Sequence, residues 1–163
     1  MPKPSIYLAG KISKNDWRHS LIPGLRGHIW KDGPIELVQF TYTGPFFVSC
    51  DHGCNHAPNS HGVAAGYFMG ESNYTQLDVI RNNTQSLDRA ELVFAYITAL
   101  DCYGTVFELG YARRAGKQIV LAFAPGVSRR DLWYLTHQAN SVHDDVHEDD
   151  LANLFRVSVE GKK

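Results

Sequence analysis

The chain has 163 residues, of which 44% are hydrophobic and 20% are charged, and its formal net charge is −1. This composition is typical of one globular domain with a real core, and it excludes collagen-like and disordered chains. The near-zero charge argues against bulk nucleic-acid binding, which usually needs a basic surplus. No apolar run approaches the ~20 residues of a membrane span, so we expect neither a nucleic-acid nor a membrane partner.

The cysteine content and the first residues bear on the compartment. The chain has three cysteines, and an odd number does not suggest a disulfide framework in a chain of this length. The apolar stretch at residues 6–9 is too short for a secretory signal and is interpreted as a strand. We therefore expect a cytoplasmic, reduced protein.

The first half of the chain predicts two strands and one long loop. Residues 5–10 (Ser-Ile-Tyr-Leu-Ala-Gly) predict a short buried strand that ends at a glycine, and a helix-like polar stretch follows at about residues 13–26. Residues 35–40 predict a second strand. Between residues 41 and 73 there is little periodicity. A loop of this length inside a compact domain is usually functional or mobile.

The second half alternates helices with strongly apolar strands. A helix is predicted at residues 74–90, because five residues share one face at helical spacing: Leu77, Ile80, Thr84, Leu87 and Ala90. Residues 92–97 form an unbroken apolar run, typical of a central parallel strand covered on both faces. The remaining predicted elements are a helix ending near residue 115, a strand at 118–123, a short helix at 128–137, a small strand at 141–142 and a last helix at 146–155.

This alternation of strands and helices predicts the architecture. We expect a single α/β domain over residues 1–163, with an open parallel sheet of about five strands and helices on both faces, as in Rossmann-like and flavodoxin-like folds. Ligands of such sheets bind at the carboxyl ends of the strands. The loops that follow the predicted strands are therefore the places to look for a site.

The most informative stretch is residues 104–112 (Gly-Thr-Val-Phe-Glu-Leu-Gly-Tyr-Ala), where a buried strand turns into a helix. Glu108 is expected in the first turns of that helix, near the positive end of its dipole and among apolar neighbours. Taken alone, such a glutamate is more often an ordinary residue that complements the dipole. The residues around it change that interpretation.

The chain resembles the nucleoside 2-deoxyribosyltransferase family, including its relatives that hydrolyse nucleoside 5′-monophosphates at the N-glycosidic bond. Four segments carry the resemblance, in the family's order: residues 6–10, residues 87–91 (Leu-Asp-Arg-Ala-Glu), residues 101–112 with the trailing 116–120 (Gly-Lys-Gln-Ile-Val), and residues 138–140 (Gln-Ala-Asn). The stretch around Glu108 is specific, whereas the other three segments would be weak alone.

The resemblance implies an enzyme of nucleotide salvage that moves 2-deoxyribose between nucleobases without a cofactor. It implies that Glu108 is the nucleophile and that Tyr7 orients it by a hydrogen bond. A carboxylate below the anomeric carbon can stabilise an oxocarbenium-like transition state or bond to it. The alternatives are hydrolysis of a nucleoside 5′-monophosphate, and a non-catalytic nucleotide- or metal-binding module on the same fold.

Two positions depart from the family pattern. The family has an aspartate six residues before the nucleophile to hold the 5′-hydroxyl, whereas this chain has Cys102 there and Asp101 one residue earlier. We expect Asp101 to reach the sugar and Cys102 to be either an inert small hydrophobe or, with a nearby base, a nucleophile. The family's aspartate that serves the leaving base is Asn83 here, and an amide can hold a base by hydrogen bonds but cannot protonate it. Asp78 and Asp88 are the alternative acids.

Other residues are expected to bind substrate. They are Gly10 and Lys11 after the first strand, and Gly104 and Thr105 at the start of the helix that carries Glu108. In the monophosphate-hydrolysing relatives the region after the first strand helps to bind the 5′-phosphate, so Lys11, Ser13 and Arg18 are possible phosphate ligands or solvated helix residues.

Asn140 matches the family position that reaches across a subunit boundary to a neighbour's sugar pocket. The resemblance therefore implies a homo-oligomer with shared active sites. The C-terminus departs from the pattern, because the chain ends Val-Glu-Gly-Lys-Lys where the family's best-known transferases end in an aromatic residue that completes the neighbour's site.

The long loop carries a dense group of possible metal ligands: Cys50, His52, Cys54, His56 and His61. Their spacing fits no known zinc site well, so we expect no metal. We favour a loop that covers the substrate, and the alternative is a solvated loop without a role. Phe46 and Phe47 precede this group. They could stack on a nucleobase or anchor the loop to the core.

Overall fold

The structure is a computed structural model that describes residues 3–12, 17–25, 28, 33–46 and 76–161. Its elements in chain order are β1 (Ser5–Ala9), α1 (Arg18–Leu21), β2 (Ile35–Glu36), β3 (Thr41–Gly44), α2 (Gln76–Arg89), β4 (Leu92–Ile97), α3 (Tyr103–Arg114), β5 (Gln118–Phe123), a 3₁₀ turn (Arg129–Leu132), α4 (Trp133–Thr136), β6 (Ser141–His143) and α5 (Glu148–Glu160). Among these described helices, none is long and apolar enough to cross a bilayer.

The strands form one sheet of six in the order β2-β3-β1-β4-β5-β6. Five of them pair in parallel, and β2 pairs antiparallel with β3 at the edge. The parallel strands follow the flavodoxin-like order, in which the first strand lies between the second and the third. The predicted α/β fold is confirmed, and the sheet has one more strand than expected.

The two faces of the sheet carry separate apolar cores, because side chains alternate along each strand. Ile6 and Leu8 of β1 point to the face covered by α1 and α5, which we call the α1/α5 face. Tyr7 and Ala9 point to the opposite face, covered by α2, α3 and α4, which we call the α2/α3 face. All six residues of β4 are buried, as expected for the central strand.

The second strand was predicted in the wrong place. Residues 35–40 do not form one strand, because the chain turns after β2 and Leu37 N donates to Phe40 O at 2.9 Å. The strand beside β1 is β3, which lies in the segment predicted as the beginning of a loop. Tyr42 of β3 is fully buried, so this short strand is held by its contacts with the rest of the fold and not by a long apolar pattern.

The helices differ from prediction mainly at their ends. The predicted helix at 13–26 is described only as the single turn α1, since residues 13–16 lie outside the described part of the chain. The last helix begins two residues later and ends five residues later than predicted. The long loop was predicted at residues 41–73, and its residues 47–73 lie outside the described part of the chain.

Helix α2 has an apolar stripe that is only half covered. Leu87 and Ala90 are buried as predicted, but Leu77 is 70% and Ile80 is 54% exposed. Ile80 and Thr84 line a cavity between α2 and α3. The residues at this spacing therefore form one stripe along α2. The stripe packs into the core near the end of the helix and lines the cavity in its middle.

Candidate active site

Glu108 lies on the inner side of α3 and faces β1. Its Oε1 accepts a hydrogen bond of 2.6 Å from the hydroxyl of Tyr7. Tyr7 is fully buried in the middle of β1, so the sheet fixes its hydroxyl in place. The expected pairing of Tyr7 with Glu108 is therefore present in the structure.

Asn83 of α2 makes the second hydrogen bond to this carboxylate. Its Nδ2 donates to the same Oε1 atom at 3.3 Å. Among the described residues, no donor reaches the other oxygen, Oε2. The carboxylate is thus held at Oε1 by two donors, and no described donor occupies Oε2.

Burial controls the ionisation of Glu108. It raises the pKa of Glu108 from the ordinary 4.5 to about 7, while the Tyr7 hydrogen bond, the charge of Arg18 and the Asn83 hydrogen bond oppose it. The expected effect of the helix dipole does not hold, because Glu108 is the sixth residue of α3 and that effect fades beyond the first turn. Near neutral pH, Glu108 is therefore a mixture of its acid and carboxylate forms.

Tyr7 stays a hydrogen-bond donor over the whole useful pH range. Burial raises the pKa of Tyr7 well above its usual value of 10, and the adjacent charge of Glu108 and its hydrogen bond add to this. A protonated phenol at 2.6 Å can only donate to the carboxylate. Tyr7 thus orients Glu108 and does not compete with it as a base.

A cavity of about 380 Å³ opens beside the carboxylate, between α2 and α3. This volume is within the usual range of small-molecule sites. Most of its wall is apolar, and three polar side chains contribute to it. The lining residues are Val79, Ile80, Asn83, Thr84, Leu87, Gly104, Phe107 and Glu108. The predicted residues Glu108, Asn83 and Gly104 therefore meet in one cavity.

Arg18 is neither a solvated helix residue nor placed to bind a phosphate, the two alternatives that the sequence left open for the region after β1. Its side chain is fully buried, and its Nε and Nη2 donate to Leu8 O at 2.8 Å and Gly10 O at 2.7 Å. The guanidinium also lies 4.6 Å from the centre of the Trp17 ring. Arg18 thus fixes the carboxyl end of β1, and its charge lowers the pKa values of Glu108 and Tyr7.

Gly10 is required by the backbone at this point. Its φ is +150°, and a Cβ atom there would lie 2.7 Å from Tyr96 O and 3.3 Å from Arg18 Nη2. A side chain would therefore both strain the turn and collide with the neighbouring strand. Gly10 shapes the loop after β1 and does not itself line the cavity.

Lys11 and Asp101 come together from the loops after β1 and β4. Lys11 Nζ lies 2.6 Å from Asp101 Oδ2, and both side chains are substantially exposed. Such a pair adds little to stability. It does place one cation and one carboxylate at the carboxyl ends of two neighbouring strands, where ligands of this fold bind.

Two of the residues expected to act on the base lie elsewhere. Asp78 pairs with Arg81 on α2 at 3.2 Å, and Asp88 accepts a 2.6 Å hydrogen bond from the hydroxyl of Tyr111. Neither lines the cavity beside Glu108. Thr105 is buried on the inner side of α3 and is also absent from the cavity wall.

Asn140 lies near the amino ends of the strands, away from the carboxyl ends where Lys11 lies. Its Oδ1 accepts a 2.8 Å hydrogen bond from Ile119 N at the start of β5. Within one chain this amide supports the edge between β5 and β6. Its role across a subunit boundary stays a prediction.

Phe46 belongs to the core of the α1/α5 face and is therefore on the other side of the sheet from Glu108. Its ring lies 5.4 Å from that of Tyr42 and 5.3 Å from that of His28. This placement is that of an anchor and not of a platform for a nucleobase. Phe47 lies outside the described residues.

The cysteine and histidine group at residues 50–61 also lies outside the described part of the chain. Within the described ranges, no three side chains of the metal-binding types come together. Cys102 is a free, buried thiol whose pKa is raised by burial. A thiol with a raised pKa is a poor nucleophile, so Cys102 fits the role of a small apolar residue.

The sequence assigned no site role to five described residues of the cavity wall, and Thr84 and Phe107 are two of them. Thr84 was assigned to the apolar stripe of α2, and Phe107 was treated only as a neighbour of Glu108, yet both line the cavity. The sequence showed only that each is next to a site residue, since Thr84 follows Asn83 and Phe107 precedes Glu108. Only the packing of α2 beside α3 shows that the two positions line one cavity.

A comparison of the chain with protein-family models gives no match, and a comparison with curated proteins gives none either. The family resemblance therefore rests on its motif residues alone.

Proposed function

We propose that this chain cleaves the N-glycosidic bond of a 2-deoxyribonucleoside through Glu108 and transfers the sugar to another nucleobase. The observation that carries the proposal is the setting of Glu108. Its carboxylate is held at Oε1 by Tyr7 and Asn83 beside a cavity of about 380 Å³. This is an oriented, partly desolvated carboxylate with one oxygen that no described donor occupies, which is what a nucleophile at an anomeric carbon needs.

The chemistry assigned to this geometry has two steps. Oε2 attacks C1′ as the bond between C1′ and the base nitrogen breaks, and the electron pair leaves with the base. The resulting glycosyl ester on Glu108 is then attacked by a nitrogen of a second base, which regenerates the carboxylate. Tyr7 keeps its proton throughout and stabilises the carboxylate by its hydrogen bond.

A base-exchange assay tests this proposal. The protein is incubated with a 2-deoxyribonucleoside and a different free base, and the new nucleoside is measured by chromatography. We expect exchange by the wild-type chain and a loss of at least about 10³-fold in Glu108→Gln, as for removal of a catalytic nucleophile. The control is Glu148→Gln, which changes an exposed glutamate on α5. Exchange that survives in Glu108→Gln would refute the assignment.

A second candidate is hydrolysis of a nucleoside 5′-monophosphate at the same carboxylate. It is favoured by Lys11, an exposed cation held by Asp101 at the carboxyl end of β1, because an ammonium group can bind a phosphate. Lys11→Gln should then raise KM for the monophosphate by about tenfold and leave KM for the unphosphorylated nucleoside unchanged. Equal effects on both substrates would exclude a phosphate contact.

The assembly and the compartment belong to this proposal. We propose a homo-oligomer in which Asn140 of one subunit reaches the sugar pocket of the next, acting in the cytoplasm. Sedimentation of the purified chain measures the assembly. If sites are shared, mixing inactive Asn140→Ala with inactive Glu108→Gln should restore part of the activity, and a lack of restoration would show that each chain works alone.

A further inference from the structure

The described wall of the cavity beside Glu108 is mostly apolar and contains one ionisable group. Among the described residues that line it, Glu108 alone carries a charge, and Asn83 and Thr84 are the other polar side chains. The rest of the wall is formed by aliphatic residues, a glycine and the ring of Phe107. On this described wall a ligand therefore meets one carboxylate and otherwise mostly apolar surface.

Such a carboxylate favours a positively charged occupant. An unpaired charge in an apolar setting is costly, and an opposite charge placed within a few ångströms offsets that cost. Lys11 is paired with Asp101, and Arg18 is bound to main-chain oxygens. Phe107 adds a ring that can contact a cationic heterocycle through its electrons.

The nucleobase that leaves the sugar also meets this mostly apolar wall. A neutral nucleobase departs more easily when an acid protonates it, but the amide of Asn83 has no acidic proton to give. Asp78 and Asp88 lie outside the cavity wall. A base that already carries a fixed positive charge needs no acid, because it becomes neutral as it leaves.

We infer that the preferred substrate is a nucleoside whose base carries a fixed positive charge in its ring, such as an N-ribosylated or N-deoxyribosylated pyridinium or a 7-alkylpurine nucleoside. The inference rests on the proposed cleavage at Glu108. Oε2 forms the bond to C1′, and the electron pair of the broken bond neutralises the ring nitrogen. Water or a second base then releases the sugar from Glu108.

Binding of two isosteric probes tests the charge preference without any turnover. 1-Methylnicotinamide is a cation, and 3-methylbenzamide has nearly the same shape and is neutral. By calorimetry at pH 8, we expect the cation to bind wild-type chain about tenfold more tightly or better. The preference should vanish in Glu108→Gln. Equal binding of the two probes by the wild-type chain would overturn the inference.

The pH dependence of that binding identifies the group responsible. The described groups that face Glu108 are Tyr7 from β1 and Asn83 from α2, with Arg18 acting by its charge. Of these, Tyr7 keeps its proton far above neutrality. Because the pKa of Glu108 is about 7, the cation should bind about tenfold more tightly at pH 8 than at pH 6. The neutral probe should show no such change.

Turnover gives the second readout. We compare 7-methyl-2′-deoxyguanosine with 2′-deoxyguanosine and subtract the spontaneous release of each base. In Asn83→Asp, which supplies an acid beside Glu108, kcat/KM for the neutral nucleoside should rise by about 10²-fold, the lower end of general acid catalysis. The cationic nucleoside should not be accelerated. A wild-type chain that cleaves both nucleosides with the same enhancement over the spontaneous rate would contradict the inference.

The two proposals fail in different ways. If Glu108→Gln abolishes the cleavage of ordinary 2-deoxyribonucleosides and the cationic substrates and probes have no advantage, the proposed function stands and this inference is wrong. If neither class is cleaved but the cation binds through Glu108, the proposed function is wrong and the cavity is a binding site for cations.

Discussion

Replacing Glu108 by glutamine should stabilise the folded chain at high pH. Above neutral pH the wild-type chain holds a desolvated carboxylate beside an apolar cavity. Glutamine has nearly the same shape and can still accept the hydrogen bond from Tyr7, but it carries no charge. The substitution therefore removes an energetic cost of the native state together with the proposed nucleophile.

The size of this effect follows from the pKa. A rise in the pKa of Glu108 from 4.5 to about 7 corresponds to about 3 kcal/mol, at ~1.4 kcal/mol per pKa unit. Because the folded pKa is the higher one, the contribution of Glu108 to stability is fully present below pH 4.5 and is lost as pH rises through 7. Glutamine has no such loss.

Denaturant unfolding at several pH values measures the difference. We expect Glu108→Gln and wild-type chain to have similar free energies of unfolding near pH 4.5 and to differ by about 3 kcal/mol at pH 8. In thermal unfolding this difference corresponds to about 6–12 °C for a chain of this size. Comparing the two proteins at each pH cancels the titration of all other groups.

The control substitution is Glu148→Gln. Glu148 lies in the first turn of α5 and is exposed, so Glu148→Gln should lose a few tenths of a kcal/mol at high pH, by about the helix-dipole effect. A difference between Glu108→Gln and wild type that stays constant from pH 4.5 to 8 would show that Glu108 is well solvated. Burial would then not raise the pKa of Glu108.

Three further substitutions test the parts around Glu108. Tyr7→Phe removes a hydrogen bond that lowers the pKa of Glu108, so the rise of kcat/KM with pH should move to higher pH and kcat should fall by about 10-fold or more; an unchanged profile would exclude the orienting role. Arg18→Gln should move the profile in the same direction, while Arg18→Lys keeps the charge and should move it less; equal shifts would contradict a charge effect. Gly10→Ala should lower the free energy of unfolding by about 2 kcal/mol or more, since its Cβ would lie 2.7 Å from Tyr96 O; unchanged unfolding would show that the turn can move.

The fold could be predicted well where one local pattern decided the structure. The buried strand β4 is an unbroken apolar run, and β5 is apolar after its first residue. Such runs are typical of strands in a sheet that is covered on both faces. The strand β3 could not be found in this way. It has four residues, and its place beside β1 depends on contacts between segments that are far apart in the chain.

The site could be predicted in its residues but not in its environment. The family resemblance pointed to Glu108, Tyr7 and Asn83, and the structure brings the three together. The raised pKa of Glu108 could not be predicted, because it depends on how deeply the carboxylate is buried. Arg18 looked like a solvated or phosphate-binding residue, since nothing in the sequence shows that its guanidinium turns inward to the carbonyl groups of β1.

A covalent sugar on Glu108 is the central claim, and trapping it is the most direct test. The chain is incubated with a 2-deoxy-2-fluoro-arabinosyl nucleoside, whose fluorine slows the release of the glycosyl ester, and the intact mass and its peptides are measured. We predict one added fluorinated sugar per chain, located on the peptide that contains Glu108 and absent in Glu108→Gln. Base release without any sugar on Glu108, or a sugar found on another residue, would contradict the claim.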